Sequence, residues 1–338
     1  MTSGGAKWVV TGAEDVGPQR PAPGTPDRAP GSMRRTSSID VVRLEGATGP
    51  VRVDARARDL ATDANGAARV VARRTISASL APTLELATIE SEPTEPALQQ
   101  LLGRTVGAGF RTAAADALPG ARRAADLVYL LLDDLPVATL VSGYALQRAG
   151  LVPGVPRERY APTIDLCSGW RAGGTLMQVI ESSGAPPMTL GPAAPRLERT
   201  DDPDAWHTLF DPAPRTVRRR RRIDVSPDDR DLHVDAMFRD SHFDDEGDES
   251  VVHEYALHAT IDRTTLEITS AVATPHVLPY VECPSAAAST ARLVGLRLDE
   301  LRDRVRSEFV GTSTCTHLND LLRSLEDVRG MPVDTRGD

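Results

Sequence analysis

Four side chains in the last third of the chain could bind a transition metal. They are two imidazoles and two thiols: His253, Cys283, Cys315 and His317. Imidazole nitrogen and thiolate sulfur are the ligands that zinc prefers. Four of them complete a tetrahedral site, whereas three leave one position open for a substrate. The same ligands suit iron or an iron–sulfur cluster. We therefore predict a zinc or iron site at these four residues.

Cys315 could also act as a nucleophile, because it precedes a predicted helix. In "GTSTCTHLNDLLRSL" (residues 311–325), leucines recur at helical spacing and predict one apolar helix face. Residues two apart on a regular helix point in different directions, so Cys315 and His317 can share a metal only if Cys315 lies in the capping turn. Residues 312–314 are candidate N-caps. The helix dipole would then lower the pKa of the Cys315 thiol, which makes it the predicted catalytic residue.

Internal repeats indicate which elements position these residues. "RRTSSIDV" from residue 34 returns as "RRRRRIDV" from residue 218, and "VDARARD" from residue 53 returns as "VDAMFRD" from residue 234. Further matches follow in the same order, so we predict two copies of one domain, at residues 33–148 and 216–330. The alignment places Val71, Ala124 and Asp126 opposite His253, Cys315 and His317. The N-terminal copy is therefore predicted to be degenerate, and the C-terminal copy carries the site.

Each copy opens with strand patterns and closes with helix patterns. Segments rich in Val, Ile and Thr alternate apolar and polar residues, and helical periodicity follows them. Strands followed by helices predict an α+β fold. We expect two similar domains, each an antiparallel sheet of three to four strands followed by two to three helices packed on one face. We also expect the two repeats to pair within the chain.

The segments outside the repeats are rich in proline and glycine. Residues 1–32 are predicted to be a disordered tail, and residues 331–338 a short second tail. Residues 149–215 form a predicted connector with an ordered element around Cys167 and Trp170. The glycines of that element, "DLCSGWRAGGT", permit a tight backbone, so it could close over the metal site.

Composition narrows the choice of partners and compartment. The net charge of −9 argues against general nucleic-acid binding. The basic run 218–222 opens a predicted strand and is interpreted as a solvated strand end, with a phosphate- or CoA-binding patch as the alternative. Three widely spaced cysteines indicate reduced thiols and a cytoplasmic protein. The longest apolar stretch is interrupted by Asp133, Asp134 and Pro136, so no membrane span is predicted.

The motifs around the candidate ligands carry a resemblance to a known family. They comprise His253, then Pro279, Tyr280 and Cys283, and finally the run from Cys315 through Thr316 and His317 to Leu318. In this arrangement the C-terminal copy resembles the bacterial domain-of-unknown-function family 2889. Glu254 and Tyr255 stand where the family has Asp-Met, and Thr314 stands where it has glycine. The resemblance implies a shared fold and site but no particular reaction.

A more distant resemblance concerns iron–sulfur scaffold proteins of the IscU/NifU type. Cys283 and Cys315 fall where two of their ligand cysteines fall, and His253 falls near a third ligand position. Three functions therefore remain open: an enzyme that uses zinc or iron on a small molecule, an iron–sulfur or sulfur carrier, and a non-catalytic binding module. For the enzyme, Asp262 or Asp320 is expected to orient a ligand histidine.

Overall fold

Eight strands form one continuous antiparallel sheet in the computed structural model, which describes residues 10–151 and 157–333. The strands are β1 (Met33–Val42), β2 (Val51–Thr62), β3 (Ala68–Leu80), β4 (Leu86–Glu92), β5 (Val217–Pro227), β6 (Asp231–Phe243), β7 (Glu249–Asp262) and β8 (Ile268–Val277). Their order across the sheet is β4-β3-β2-β1-β5-β6-β7-β8. The antiparallel α+β class that the sequence predicts is confirmed, but one sheet replaces the two separate sheets that were expected.

The helices follow the strands of each half. They are α1 (Phe110–Ala117), α2 (Pro119–Ala124), α3 (Leu127–Val141), α4 (Gly143–Arg148), α5 (Thr175–Ser183), α6 (Leu301–Glu308) and α7 (Thr316–Ser324). Short 3-10 helices occur as well, including Cys283–Leu293. Helix α3 packs on β1, β2 and β3, and α7 packs on β6 and β7. The apolar face of α7 enters the core through the predicted leucine stripe.

The two halves of the sheet meet at the β1–β5 pair. Ser37 of β1 lies opposite Arg221 of β5, and these are the two residues that the repeat alignment equates. Unpaired edge strands leave backbone N–H and C=O groups without partners. Pairing β1 with β5 satisfies both edges at once, which explains why the sheet is continuous.

The basic run lies in the middle of the sheet and is buried, so both sequence-based interpretations of it are wrong. Each of its arginines, Arg218 to Arg222, is at most 4% exposed. Alternate residues point to opposite faces of a strand. Arg219 and Arg221 face the helices, where aspartates of α3 and α7 pair with them. Arg218 pairs on the other face with Asp40 of β1. A buried charge requires such a partner.

One buried ion pair occurs in both halves. Arg219 Nε and Nη2 lie 2.7 and 2.9 Å from the two carboxylate oxygens of Asp240, and Nη1 lies 2.9 Å from Asp320. Arg35 makes the same two-bond contact with Asp59, at 2.7 Å for each bond. Asp59 and Asp240 each lie where the pairing of their strand with the next one shifts by a β-bulge. The pair therefore anchors the same point of each half.

Extended segments cover the face of the sheet that carries no helices. Residues 10–32 are ordered there, so the predicted disordered tail is wrong for this range, and residues 1–9 lie outside the described part. Leu278 N–H donates to Pro18 O at 3.0 Å, and Trp206 Nε1–H donates to Thr25 Oγ1 at 2.6 Å. These contacts give the proline-rich segment hydrogen-bond partners that its own residues do not supply. At the other end of the chain Met331 is buried in the core, whereas residues 334–338 lie outside the described part.

The helical stretch 127–148 is long and apolar enough to cross a membrane by length and composition alone, a test that core helices also pass. In this structure 83% of the most apolar part of this stretch is buried inside the protein. The two aspartates that interrupt it have arginine partners: Asp134 accepts two hydrogen bonds from Arg221, and Asp133 lies 3.5 Å from Arg323. The stretch is therefore a core helix in this structure, and its two aspartates are paired with arginines of other elements.

The buried His207 predicts a pH dependence of stability. Its ring nitrogens lie 2.8 Å from Ser38 Oγ and 2.9 Å from Thr36 Oγ1, and burial lowers its pKa to about 3. The unfolded chain takes up this proton near the ordinary pKa of 6.5. Between about pH 4 and pH 6 only the unfolded state holds the proton, so the free energy of unfolding rises with pH by about 1.4 kcal/mol per unit from this residue.

Denaturant titrations at several pH values check this expectation. The His207→Gln variant is expected to show a smaller slope of stability against pH, by about 1.4 kcal/mol per pH unit. Equal slopes in the two proteins would contradict the assignment.

Candidate functional site

All four predicted ligands line one cavity of about 310 Å³. His253 comes from β7, Cys283 opens the 3-10 helix after β8, Cys315 caps α7, and His317 lies in the first turn of that helix. Because β7 and β8 are antiparallel, the start of β7 lies beside the end of β8, and helix α7 packs on β6 and β7. The structure therefore brings together residues that are more than sixty positions apart in the sequence.

The two histidines form the centre of the cluster. Their rings stack with centroids 3.9 Å apart and planes 19° from parallel. Burial lowers the pKa of His317 to about 4, and burial followed by the neighbouring His317 lowers the pKa of His253 well below its usual value. Both imidazoles are consequently neutral at pH 7, which is the form that binds metals.

Asp240 is the third member of the tight group, and the sequence analysis did not single it out. Ligating atoms of Asp240, His253 and His317 all lie within 4.8 Å of one another. Asp240 Oδ2 is 3.8 Å from His253 Nδ1, a nitrogen that is buried and has no hydrogen-bond partner among the described residues. A carboxylate behind a ligand histidine fixes the orientation and tautomer of the ring.

The two aspartates that were predicted for this role do other work. Asp262 accepts hydrogen bonds from the backbone N–H groups of Thr264 and Thr265 in an exposed turn. Asp320 binds Arg219 and does not reach the rings as a hydrogen-bond acceptor within the described residues. A signal for Asp240 was present, because the repeat "VDAMFRD" keeps the same aspartate as "VDARARD".

Cys315 lies outside regular helix, as a shared site with His317 requires. It is itself the N-cap of α7, in place of the predicted residues 312–314, and its backbone is extended with φ −134° and ψ 128°. Its Sγ lies 4.0 Å from His317 Nδ1. The predicted lowering of its pKa is wrong, because burial raises the pKa of the thiol to about 12. The N–H groups of Leu318 and His317 act in the opposite direction but more weakly.

The connector element docks on both cysteine segments. The Ser168 N–H donates to Thr314 O at 2.9 Å, and a Cβ placed on Gly169 would come within 2.9 Å of Cys283 Sγ. Cys167 and Trp170 therefore line the cavity. Cys167 is a third thiol at the site, beyond the predicted ligand set. The tight backbone that the glycines of this element permit is what allows the approach.

The N-terminal half has no matching chemistry, although the residue correspondence differs from the alignment. Ala72 lies opposite Asp59 just as His253 lies opposite Asp240, so Ala72 and not Val71 occupies the equivalent position. The N-cap of α3 is Asp126 and that of α7 is Cys315, so Asp126 and not Ala124 corresponds to Cys315. Both halves carry the bulge at the same place, and thirteen positions separate Asp59 from Ala72 as they separate Asp240 from His253, so the sequence alignment was one residue out of register at this strand.

The burial of the thiols predicts that they react slowly in the native protein. Burial raises the pKa of Cys167, Cys283 and Cys315 alike, and for Cys315 from 9.0 to about 12. The thiolate fraction of Cys315 is thereby lower by about a thousandfold, and the thiolate is the reactive form. Titration with an aromatic disulfide is expected to find three thiols per chain only after unfolding. One fast thiol in the native protein that Cys315→Ser removes would contradict this.

The fold and the site define an α+β protein with a cavity lined by histidine and cysteine side chains. Residues 217–330 match the model of a protein family described as "Protein of unknown function (DUF2889)". The match confirms the resemblance over the C-terminal part of the chain, which holds all four predicted ligands and Asp240. No curated protein and no solved structure matches the chain.

Proposed function

We propose that the cavity binds one zinc or iron ion through His253, His317 and Cys315, and that the protein is an enzyme acting on a small molecule there. Cys283 serves as a fourth ligand or leaves that position to the substrate. The single observation that carries the proposal is the pair of stacked, neutral imidazoles, which come from two separate elements and meet beside a thiol. Both imidazoles are half-buried, and each neutral ring keeps one free nitrogen lone pair, which would bind a metal ion once the rings turn out of their stacked arrangement.

One distance, between Cys315 and His317, fits such an ion, whereas the group whose ligating atoms all lie within 4.8 Å of one another consists of Asp240, His253 and His317 and does not include Cys315. Zinc bonds of about 2.0–2.3 Å place tetrahedral ligand atoms roughly 3.3–3.8 Å apart, close to the 4.0 Å between Cys315 Sγ and His317 Nδ1. Binding a metal would also favour the thiolate of Cys315, whose thiol is otherwise hard to deprotonate. The residues present therefore offer the nitrogen and sulfur donors that zinc and iron bind.

The bound ion would polarise a carbonyl group or activate a water molecule. The chain itself supplies the orientation of the ligands and the apolar wall beside them. Asp240, held by Arg219, lies 3.8 Å from His253 Nδ1, and its charge would favour the proton on that nitrogen and leave Nε2 free to bind. Trp170 and the neighbouring apolar side chains line the cavity beside the ligands, and their low polarity would strengthen the electrostatic interactions there.

Elemental analysis of protein purified without added metal tests the proposal. We expect about one zinc or iron ion per chain, and a substoichiometric content in the His253→Ala and Cys315→Ser variants. Protein that is free of metal from several expression hosts, and that takes up none on addition, would overturn the proposal.

A second candidate, an iron–sulfur or sulfur carrier, is favoured by Cys167. This third cysteine lines the cavity with Cys283 and Cys315 and supplies the sulfur ligands that a cluster prefers. Purification without oxygen separates the two candidates. A coloured protein whose absorption is lost in Cys167→Ser would favour the carrier, whereas a colourless zinc protein would exclude it.

We also propose that the chain is a tandem duplication in which the N-terminal copy supports the fold and the C-terminal copy carries the metal. The repeated pairs Arg35–Asp59 and Arg219–Asp240 and the symmetric β1–β5 register support it. Asp59→Asn and Asp240→Asn form a matched pair of variants. Both are expected to lower stability, but only Asp240→Asn is expected to weaken metal binding, by about 10–100-fold. An equal loss in Asp59→Asn would contradict this division of roles.

A further inference from the structure

One wall of the cavity comes from the N-terminal half of the chain. The junction of α3 and α4 contributes five lining residues: Leu140, Val141, Gly143, Tyr144 and Gln147. The pairing of β7 with β6 skips Val252, which is therefore the extra residue of the β-bulge beside His253. Val252 also lines the cavity and packs against the apolar cluster that contains Val141. The proposed ligand His253 is thus next in the chain to a residue that contacts this wall.

This wall offers a ligand mainly apolar surface. Its two polar side chains are already bonded to the connector, because Tyr144 O–H donates to Thr189 O at 3.0 Å and Gln147 Nε2–H donates to Pro186 O at 3.3 Å. Leu140, by contrast, is 67% exposed, so a molecule in the cavity can reach it. Covering such apolar surface stabilises a complex in proportion to the area removed from water.

The glycines of the cavity show where this wall leaves room. Among the described lining residues, three are glycines. A Cβ on Gly169 would come within 2.9 Å of Cys283 Sγ, and one on Gly191 within 1.6 Å of Val251 O, so close packing accounts for both. A Cβ on Gly143 would meet nothing within 4 Å in the described part of the chain beyond its own helix and neighbours, and its backbone is not left-handed. Neither packing nor conformation therefore requires glycine at this position, although glycine is a poor helix former.

We propose that Gly143 determines the size of the substrate, which combines a metal-binding group with a bulky apolar group that lies over Leu140 and Gly143. The inference rests on the proposed function in placing the metal-binding group at the ion. An anionic group such as a carboxylate is allowed there, because the ion is its counter-charge. The apolar wall acts on the remainder of the molecule, and the volume of about 310 Å³, at the lower end for ligand pockets, suits a body of one or two rings. The N-terminal half thereby selects the substrate on which the C-terminal half acts.

Two hydroxamates that chelate a metal through the same group test the inference on the protein as purified. Acetohydroxamate carries only a methyl group, whereas 2-naphthohydroxamate carries two fused rings. Isothermal titration is expected to show that the wild-type protein binds the naphthyl probe at least about tenfold more tightly. Gly143→Leu is expected to reduce this ratio by about fivefold or more, because the new side chain occupies the space of the rings, and to leave the affinity for acetohydroxamate within about twofold.

A second glycine at the start of a helix provides the matched control. Gly120 lies in the first turn of α2, also leaves open space for a Cβ and does not line the cavity, so Gly120→Leu is expected to keep the wild-type ratio. Leu140→Ser tests the same wall without adding volume, and it is expected to lower the ratio by about threefold or more, because it removes apolar surface. A ratio that both Gly143→Leu and Leu140→Ser leave unchanged, or that Gly120→Leu lowers equally, would overturn the inference.

Metal analysis of the same samples separates this inference from the proposed function. Gly143→Leu is expected to keep its metal. A metal-loaded protein that does not bind 2-naphthohydroxamate up to its solubility limit, or whose ratio Gly143→Leu leaves unchanged, would reject the substrate inference alone. A metal-free protein that binds 2-naphthohydroxamate no more tightly than 2-naphthamide, with both weakened by Gly143→Leu, would reject the metal proposal alone.

Discussion

The His317→Ala variant is expected to bind its metal at least tenfold, and up to about a thousandfold, more weakly than the wild-type protein. Loss of a residue that only orients a ligand typically costs about 10–100-fold in affinity, and His317 is a proposed ligand itself. His253 and Cys315 would remain, but the metal would lose the nitrogen ligand that His317 supplies beside them. Competition with a chromophoric chelator measures the change.

A histidine of the same strand provides the control for this prediction. His258 lies five residues after His253 on β7, is exposed and does not line the cavity, so His258→Ala is expected to keep wild-type affinity. The free energy of unfolding of both metal-free variants separates lost ligation from lost folding. Equal affinities in His317→Ala and the wild-type protein would remove His317 from the site.

The Arg219→Met variant is expected to lose about 3–5 kcal/mol of unfolding free energy, or to fail to fold. The arginine is 1% exposed and is bonded to Asp240 and Asp320, which are themselves buried. Removing it leaves Asp240 without its cation in the interior of the protein, whereas Asp320 keeps Arg111 and Arg323 as partners. Urea denaturation followed by circular dichroism measures the loss.

An arginine on the surface shows what the same substitution costs without burial. Arg304 pairs with Glu300 and Glu308 of its own helical region, and its side chain is 42% exposed. Exposed pairs of this kind contribute less than about 1 kcal/mol, so Arg304→Met is expected to be nearly neutral. Similar losses in the two variants would show that the buried network does not carry the stability assigned to it.

The parts of the fold and site that local patterns govern were predictable from the sequence. The leucine stripe of α7 and the order of strands before helices follow from periodicity, which neighbouring residues determine. The convergence of His253, Cys283, Cys315 and His317 on one cavity followed from placing each at an element end. Their identity as metal ligands stays a prediction.

The features that depend on distant partners were not predictable. A run of five arginines is typical of a solvated surface, and only the carboxylates of α3, α7, the neighbouring strands and the connector allow it to be buried. The order in residues 10–32 likewise depends on backbone groups beside β8. Burial raises the pKa of Cys315, and the sequence alone does not show how deeply a side chain is buried.

X-ray absorption spectroscopy of the native protein, at the absorption edge of the metal that it carries, tests most directly whether His253, His317 and Cys315 bind a metal ion. We predict nitrogen ligands at about 2.0–2.1 Å and at least one sulfur ligand at about 2.3 Å, with the sulfur contribution reduced in Cys315→Ser. A metal surrounded by oxygen alone, or a spectrum that Cys315→Ser and His317→Ala leave unchanged, would contradict it.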